Sequence, residues 1–252
     1  MNETGVQPRR AIERFLAHEM SGRELLRCLA TFDRWIVPAG FSGGQPAFLD
    51  FRSGQSRRFF MFSGPEAYNE ARRQLGEDVL GDHYVETTGD SIWLSFNDAV
   101  AGLSIDPFSK HEIDYGPDQF PLLRRWGNII RVERALEKVL STDSGYDLIR
   151  DFDRYYIVTR RDESGPNLML APDSKGRKLA ALFTAEDSLD AYLDEKRGGG
   201  FQDLEPLMMT GPRLFELLSR TPLDGFVFNC CGPIAPRAFA PAFAERISAL
   251  AT

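Results

Sequence analysis

Met61-Phe62-Ser63-Gly64-Pro65-Glu66 and, later in the chain, Leu182-Phe183-Thr184-Ala185-Glu186-Asp187 are two versions of one phrase. Each closes a short apolar run, turns at a hydroxyl residue and places an acid three positions on. An apolar run of strand length that breaks into Ser/Thr-x-x-acid reads as a strand feeding a helix. The hydroxyl is expected to cap the first turn and the acid to reach back to it. Two such junctions in one chain raise the question of whether their surroundings repeat as well.

They do. Upstream, Ala11-Ile12-Glu13-Arg14-Phe15-Leu16 matches Ala135-Leu136-Glu137-Lys138-Val139-Leu140, and Phe32-Asp33-Arg34-Trp35 matches Phe152-Asp153-Arg154-Tyr155. Downstream, Thr88-Gly89 matches Thr210-Gly211, and Gly102-Leu103-Ser104-Ile105-Asp106 matches Gly225-Phe226-Val227-Phe228-Asn229. The matches keep one order, with offsets of 120 to 124. Self-similarity at a fixed period predicts a tandem repeat of one supersecondary unit.

Within each copy the apolar spacing assigns the elements. Ile12, Phe15, Leu16 and then Leu25, Leu26, Leu29 recur at helical spacing, so a copy opens with one or two amphipathic helices. Strands are expected at Trp35 to Pro38, Pro46 to Phe51 and Arg58 to Phe62, with turns at Gly43-Gly44 and Ser53-Gly54. After the junction helix come a strand at His83 to Thr87 (Leu207 to Thr210), a helix from Gly89 to Ala101 (Gly211 to Arg220) and a strand at Leu103 to Ile105 (Phe226 to Phe228). Strands alternating with helices imply parallel pairing through crossovers, while the first three strands are close enough for hairpins. The fold class is therefore α/β with some α+β character: two similar mixed-sheet modules, helices packed on the sheet, in pseudo-symmetric tandem over residues 1–127 and 128–252. The join is expected between Pro117 and Arg131, where Pro121 and Gly127 interrupt a stretch holding Leu122, Leu123 and Trp126.

At the Phe-Ser/Thr junction, the Thr-Gly helix start and the Gly-x-x-x-Asp/Asn strand end, the chain resembles the SseB N-terminal domain family. The likeness is clearest in Leu182-Phe183-Thr184-Ala185-Glu186 and Gly225-Phe226-Val227-Phe228-Asn229 and extends over most of both copies. The family pattern ends its last strand in Asn-Pro followed closely by Gly. Here copy one reads Asp106-Pro107 and copy two Asn229-Cys230-Cys231-Gly232-Pro233. The resemblance implies a non-enzymatic bacterial adaptor or protein-binding module, of a kind found in secretion and toxin-immunity settings, with a rhodanese-like label in places.

Composition narrows the function classes. With 42% hydrophobic, 27% charged and 12% aromatic residues, a packed globular core is expected. Net charge is −7, and the two parts of the chain divided at Ile130 carry −4 and −3. The basic doublets Arg57-Arg58, Arg72-Arg73, Arg124-Arg125 and Arg160-Arg161 are scattered among acids, which disfavours nucleic-acid binding. No leader-like or membrane-spanning apolar run is read, and three cysteines, two of them adjacent, suit a reduced cytoplasmic setting.

Reaction chemistry finds little support. His18, His83 and His111 share no helix face with one another or with a cysteine, so no metal site and no cofactor are expected. No Gly-x-Ser-x-Gly elbow is present. The alternative to a binding module is thiol chemistry of sulfurtransferase type at Cys231, with Arg237 closing its loop. Pro233 and Pro236 remove donors that a thiolate cradle would need, so a small apolar role at a strand end is the plainer reading. The expected site is instead a surface: the loop beyond the strand Leu103 to Ile105, with Asp106, Phe108, Lys110, Glu112, Asp114 and Tyr115, where open α/β sheets bind their ligands. An aromatic ringed by acids suits a protein partner with a basic face.

Overall fold

The computed structural model describes residues 8–42, 45–48, 50–53, 56–96, 100–142, 144–162, 165–172 and 175–250. The turn glycines Gly43, Gly44 and Gly54 and residues 1–7 of the N-terminus lie outside them. The chain divides into two compact units, Met1–Ile130 and Arg131–Thr252.

Unit one runs α1 (Pro8–Leu16), α2 (Gly22–Thr31), β1 (Trp35–Ser42), β2 (Gln45–Phe48), β3 (Asp50–Ser53), β4 (Ser56–Met61), α3 (Pro65–Leu75), α4 (Glu77–Leu80), β5 (Tyr84–Thr87), α5 (Gly89–Ser95), β6 (Gly102–Ile105) and β7 (Ile113–Tyr115). A 3-10 turn at Pro117–Gln119 then leads into α6 (Phe120–Thr142). Helix α2 starts at a full capping box: Glu24 N donates to Ser21 Oγ at 3.3 Å and Ser21 N to the Glu24 carboxylate at 2.8 Å. β4 and β6 pair in parallel, the rest antiparallel, in the orders β2-β1-β5 and β3-β4-β6-β7. An isolated bridge joins the two sets, with Ile36 N donating to Phe62 O at 2.9 Å and Phe62 N to Ile36 O at 2.8 Å.

Unit two runs α7 (Tyr146–Arg150), β8 (Tyr155–Asp162), β9 (Gly165–Leu168), β10 (Leu170–Pro172), β11 (Lys178–Phe183), α8 (Glu186–Gly198), β12 (Leu204–Met209), α9 (Gly211–Arg220), β13 (Gly225–Phe228), β14 (Arg237–Phe239) and α10 (Pro241–Ala249). Its strand order is β12-β8-β11-β13-β14, with β9 on β8 and β10 on β11. Among the described residues β11 and β13 pair in parallel and the other strand pairs are antiparallel. Reading β5, β1, β4, β6 and β7 in place of these five reproduces the same neighbours and the same senses. The fold is α/β with mixed sheets.

Strand alternation sends each unit's apolar side chains to both faces. In unit one Phe60 and Phe62 pack with Ala67, Tyr68 and Ala71 of α3. In unit two Ala181 and Phe183 pack with Leu189, Tyr192 and Leu193 of α8. All three tryptophans are buried, Trp35 with its indole N–H donating to Leu29 O at 3.0 Å.

Three local expectations are corrected, and two short strands are added to those expected. Pro121 and Gly127 do not interrupt the join, because α6 runs through both. Pro121 sits in the first turn, where its missing donor is not needed. At Gly127 a Cβ would approach Asp90 O to 3.1 Å and Leu94 Cγ to 3.2 Å, so the glycine permits close packing within unit one. The helix begun at Gly89 ends at Ser95, short of Ala101, and residues 97–99 lie outside the described set. The antiparallel strands β7 and β14, three residues each, are too short to carry a period. Finally, the hydroxyls of Ser63 and Thr184 cap no helix. α3 and α8 begin after Gly64 and Ala185 without a side-chain cap, for the reason that follows.

Candidate functional site

The parallel strands β6 and β13 end at Asp106 and Asn229, with φ of +46° and +53°. Asp and Asn are the non-glycine residues that enter this left-handed region most readily. The backbone N–H of each still completes the parallel pair, Asp106 to Met61 O at 2.9 Å and Asn229 to Leu182 O at 2.8 Å. The side chain then folds back over the end of the neighbouring strand. Asp106 accepts from Ser63 N at 2.7 Å and from Ser63 Oγ at 2.5 Å. Asn229 accepts from Thr184 N at 3.0 Å and donates through Nδ2 to Thr184 Oγ1 at 2.9 Å. The two hydroxyls are engaged here, across 43 and 45 residues of sequence, and are lost to the helix caps.

A third side chain comes from α1 in unit one and, in unit two, from the part of α6 that follows Ile130. Arg9 Nε donates to Ser63 Oγ at 3.1 Å and approaches Asp106 Oδ2 at 3.4 Å. In unit two Thr184 Oγ1 donates to Glu133 Oε1 at 2.7 Å. Arg9 and Glu133 stand two positions before the matched Ala11 and Ala135. The donor sense is reversed between the units. Ser63 gives its one proton to the strand-end residue and accepts from the helix; Thr184 gives its proton to the helix and accepts from the strand end.

One helical turn further on, a glutamate clasps the loop beyond the strand. Glu13 Oε1 lies 2.7 Å from His111 Nε2 and 3.4 Å from Lys110 Nζ. Its carboxyl is held below the usual range by the His111 hydrogen bond and then by Lys110. In unit two Arg237 donates to Glu137 Oε1 at 2.8 Å. These polar residues at the carboxyl ends of the parallel strands therefore satisfy one another and seat their loops.

No family model, curated protein or solved structure matches the chain. The reading of the site rests on its geometry.

That geometry sorts the six surface residues expected from the sequence. Asp106 is fully buried under Ser63 and Arg9, and Tyr115 is buried, its phenol pushed up by burial. Neither presents a face, because β6 and β7 carry them into the unit's interior. Asp114 is exposed but committed, accepting from Ser104 Oγ at 2.5 Å and from Arg58 at 3.3 Å. Lys110 is exposed and paired to Glu13. Phe108 and Glu112 are left outward together. Phe108 is 41% exposed, its ring edge-on to Phe60 at 6.4 Å, and its N–H donates to the Glu112 carboxylate at 2.9 Å. Its φ is +66°, a region bulky side chains rarely adopt.

Arg9, Ser63, Glu133 and Thr184 were absent from the expected site. The signal for the helix pair was the 124-residue offset, which runs two positions further upstream than the matched alanines. At Cys231 the thiol donates to Glu195 Oε2 at 3.1 Å and is pushed up to about 12, by burial first and by Glu195 second. A thiol so placed keeps its proton near neutral pH and is a poor nucleophile. Among the described residues no helix is long and apolar enough to cross a membrane.

Proposed function

We propose that the chain is a non-enzymatic protein-binding module of SseB N-terminal type, made of two copies of one ancestral unit, acting in the cytoplasm. The partner docks on the loop after β6. The single observation that carries this reading is Phe108, an exposed aromatic held in the left-handed region by a carboxylate four residues on. Backbone strain of that kind is kept where a side chain must be presented in one direction. Burial of such an aromatic by a partner is the usual basis of a hot spot. The common origin is supported by the shared pairing order and by the equivalent Arg9/Ser63/Asp106 and Glu133/Thr184/Asn229 sets. A binding role is favoured over catalysis because those sets are closed on themselves, and the same holds for Glu13 with His111.

Glu112 and Asp114, both exposed, favour a partner with a basic face, in the secretion or toxin-immunity setting that the family likeness implies. The test is affinity capture from the native host, followed by titration of the captured protein. Phe108→Ala is expected to weaken binding about 30-fold, the scale of one hot-spot side chain. Charge reversal at Glu112 is expected to slow association, with an effect that shrinks as salt rises. A partner whose affinity ignores Phe108→Ala and whose association ignores salt places the interface elsewhere.

A further inference from the structure

The turn after β13 holds a feature that the binding reading does not use. Cys230 and Cys231 occupy the middle of a turn closed by Gly232 N donating to Asn229 O at 3.3 Å, and their sulfurs are 4.0 Å apart. Helix α8 lies beneath. Gly232 sits so close over Ser188 that a Cβ there would collide with Ser188 Oγ, which seats the turn on the helix. Further along α8, Glu195 accepts the Cys231 thiol proton at 3.1 Å and pairs with Lys196 at 3.4 Å, which keeps it a carboxylate. Tyr192, 1% exposed, has Cys230, Cys231 and Glu195 as its electrostatic neighbours. Among the described residues its hydroxyl has no hydrogen-bond partner. Buried phenol hydroxyls are normally satisfied, so this one marks a place for a further polar group.

We propose that Cys230 and Cys231 form a dithiol site for trivalent, thiol-condensing metalloids, arsenic(III) hydroxide and its monoaryl derivatives being the ligand class. Both cysteines are partly exposed, and their sulfurs are near enough for one atom to bridge them. In the reaction two As–S bonds form and two As–OH bonds break. Each thiol proton leaves with a departing hydroxyl as water, so two waters are released and no oxidation state changes. Glu195 is placed to take the Cys231 proton and pass it to a leaving hydroxyl; with arsenic(III) hydroxide Tyr192 donates to the one hydroxyl that stays on arsenic, whereas a hydrated monoaryl arsenical loses both hydroxyls and keeps its aryl group.

The same surroundings disfavour a divalent cation. Cation binding requires thiolates, and a thiol that holds its proton beside a carboxylate opposes their formation. Condensation consumes that proton. Among the described residues no set of three His, Cys, Asp or Glu is arranged for a metal ion.

The experiment uses the reduced full-length protein with phenylarsine oxide, and separately with inorganic arsenite, read by native mass spectrometry. One adduct per chain is expected, stable to excess glutathione and stripped by 2,3-dimercaptopropanol. Cys230→Ser and Cys231→Ser should each weaken capture about 100-fold, because loss of one thiol removes the chelate advantage. Cys28→Ser should leave capture unchanged. Glu195→Gln should slow adduct formation with little change in final occupancy. If a serine variant fails to fold by circular dichroism, alkylation mapping of the wild-type protein decides instead, since a bound arsenical must shield Cys230 and Cys231 together. Single-thiol variants that hold the arsenical as tightly as wild type, an adduct on Cys28, or unshielded Cys230 and Cys231 would each overturn the site.

Discussion

Asn229→Asp destabilises the protein by about 3 kcal/mol at neutral pH, the scale of a buried charge left without its partner. The reason lies in counting protons around Thr184. In the native unit the Thr184 hydroxyl has one proton, given to Glu133, and it accepts from Asn229 Nδ2. An aspartate at 229 removes that donor and sets a second carboxyl group against the same hydroxyl, so two buried carboxyl groups compete for one proton. Unit one tolerates Asp106 because Arg9 supplies a cation there. Glu133→Arg added to Asn229→Asp recreates the unit-one set and should recover more than half of the loss.

The pH dependence has a definite sign. A carboxyl facing another carboxyl has its folded pKa raised above the unfolded value of about 4. The loss is therefore full above the raised folded pKa, shrinks as pH falls between the two values and is gone below the unfolded one. Urea denaturation of the single and double variants between pH 4 and 7 measures all of this. Wild-type stability in Asn229→Asp at pH 7, or a further loss on adding Glu133→Arg, would show that the two sets are not equivalent.

Gly211→Ala lowers stability by roughly 3 kcal/mol, the upper end for an overpacked site, or prevents folding of unit two. The helix start is drawn against the preceding turn, with Gly211 N donating to Phe152 O at 2.7 Å. A Cβ at this position would lie far inside contact distance of the Arg150 carbonyl oxygen. Backbone atoms cannot step aside as a long side chain can. The same collision awaits Gly89→Ala in unit one, against Leu29 O. Gly198→Ala is the control: nothing lies within 4 Å of a Cβ there, so stability should hold or rise by about 0.5 kcal/mol. Denaturation midpoints that place Gly211→Ala beside Gly198→Ala would mean that the turn relaxes and the close approach is not required.

These cases separate two kinds of legibility. The α/β class, the strand-to-helix junctions and the Thr-Gly helix starts were readable because they depend on periodicity and on neighbours a few residues away. The matched words fall at equivalent places in the two pairing schemes: Trp35 and Tyr155 open β1 and β8, and Asp106 and Asn229 close β6 and β13. The Ser63 and Thr184 hydroxyls were misread for the same reason. Local pattern makes them helix caps, but a partner 43 or 45 residues away competes for the same hydroxyl and prevails.

The candidate surface was only half readable. Its charged and aromatic composition was plain, but composition does not say which side of a strand faces water. By itself the amino-acid order determined the class of fold and the placing of most of its helices and strands, the three-residue β7 and β14 excepted. Only the tertiary structure decided that Asp106 and Tyr115 turn inward while Phe108 and Glu112 stay out, and that each hydroxyl answers to a strand end and to a helix, Ser63 to α1 and Thr184 to α6. The physical reason is range. Helix and strand periods act over a few residues, whereas Arg9 meets Asp106 across 97 residues, a contact that forms only once the sheet has brought those chain segments together.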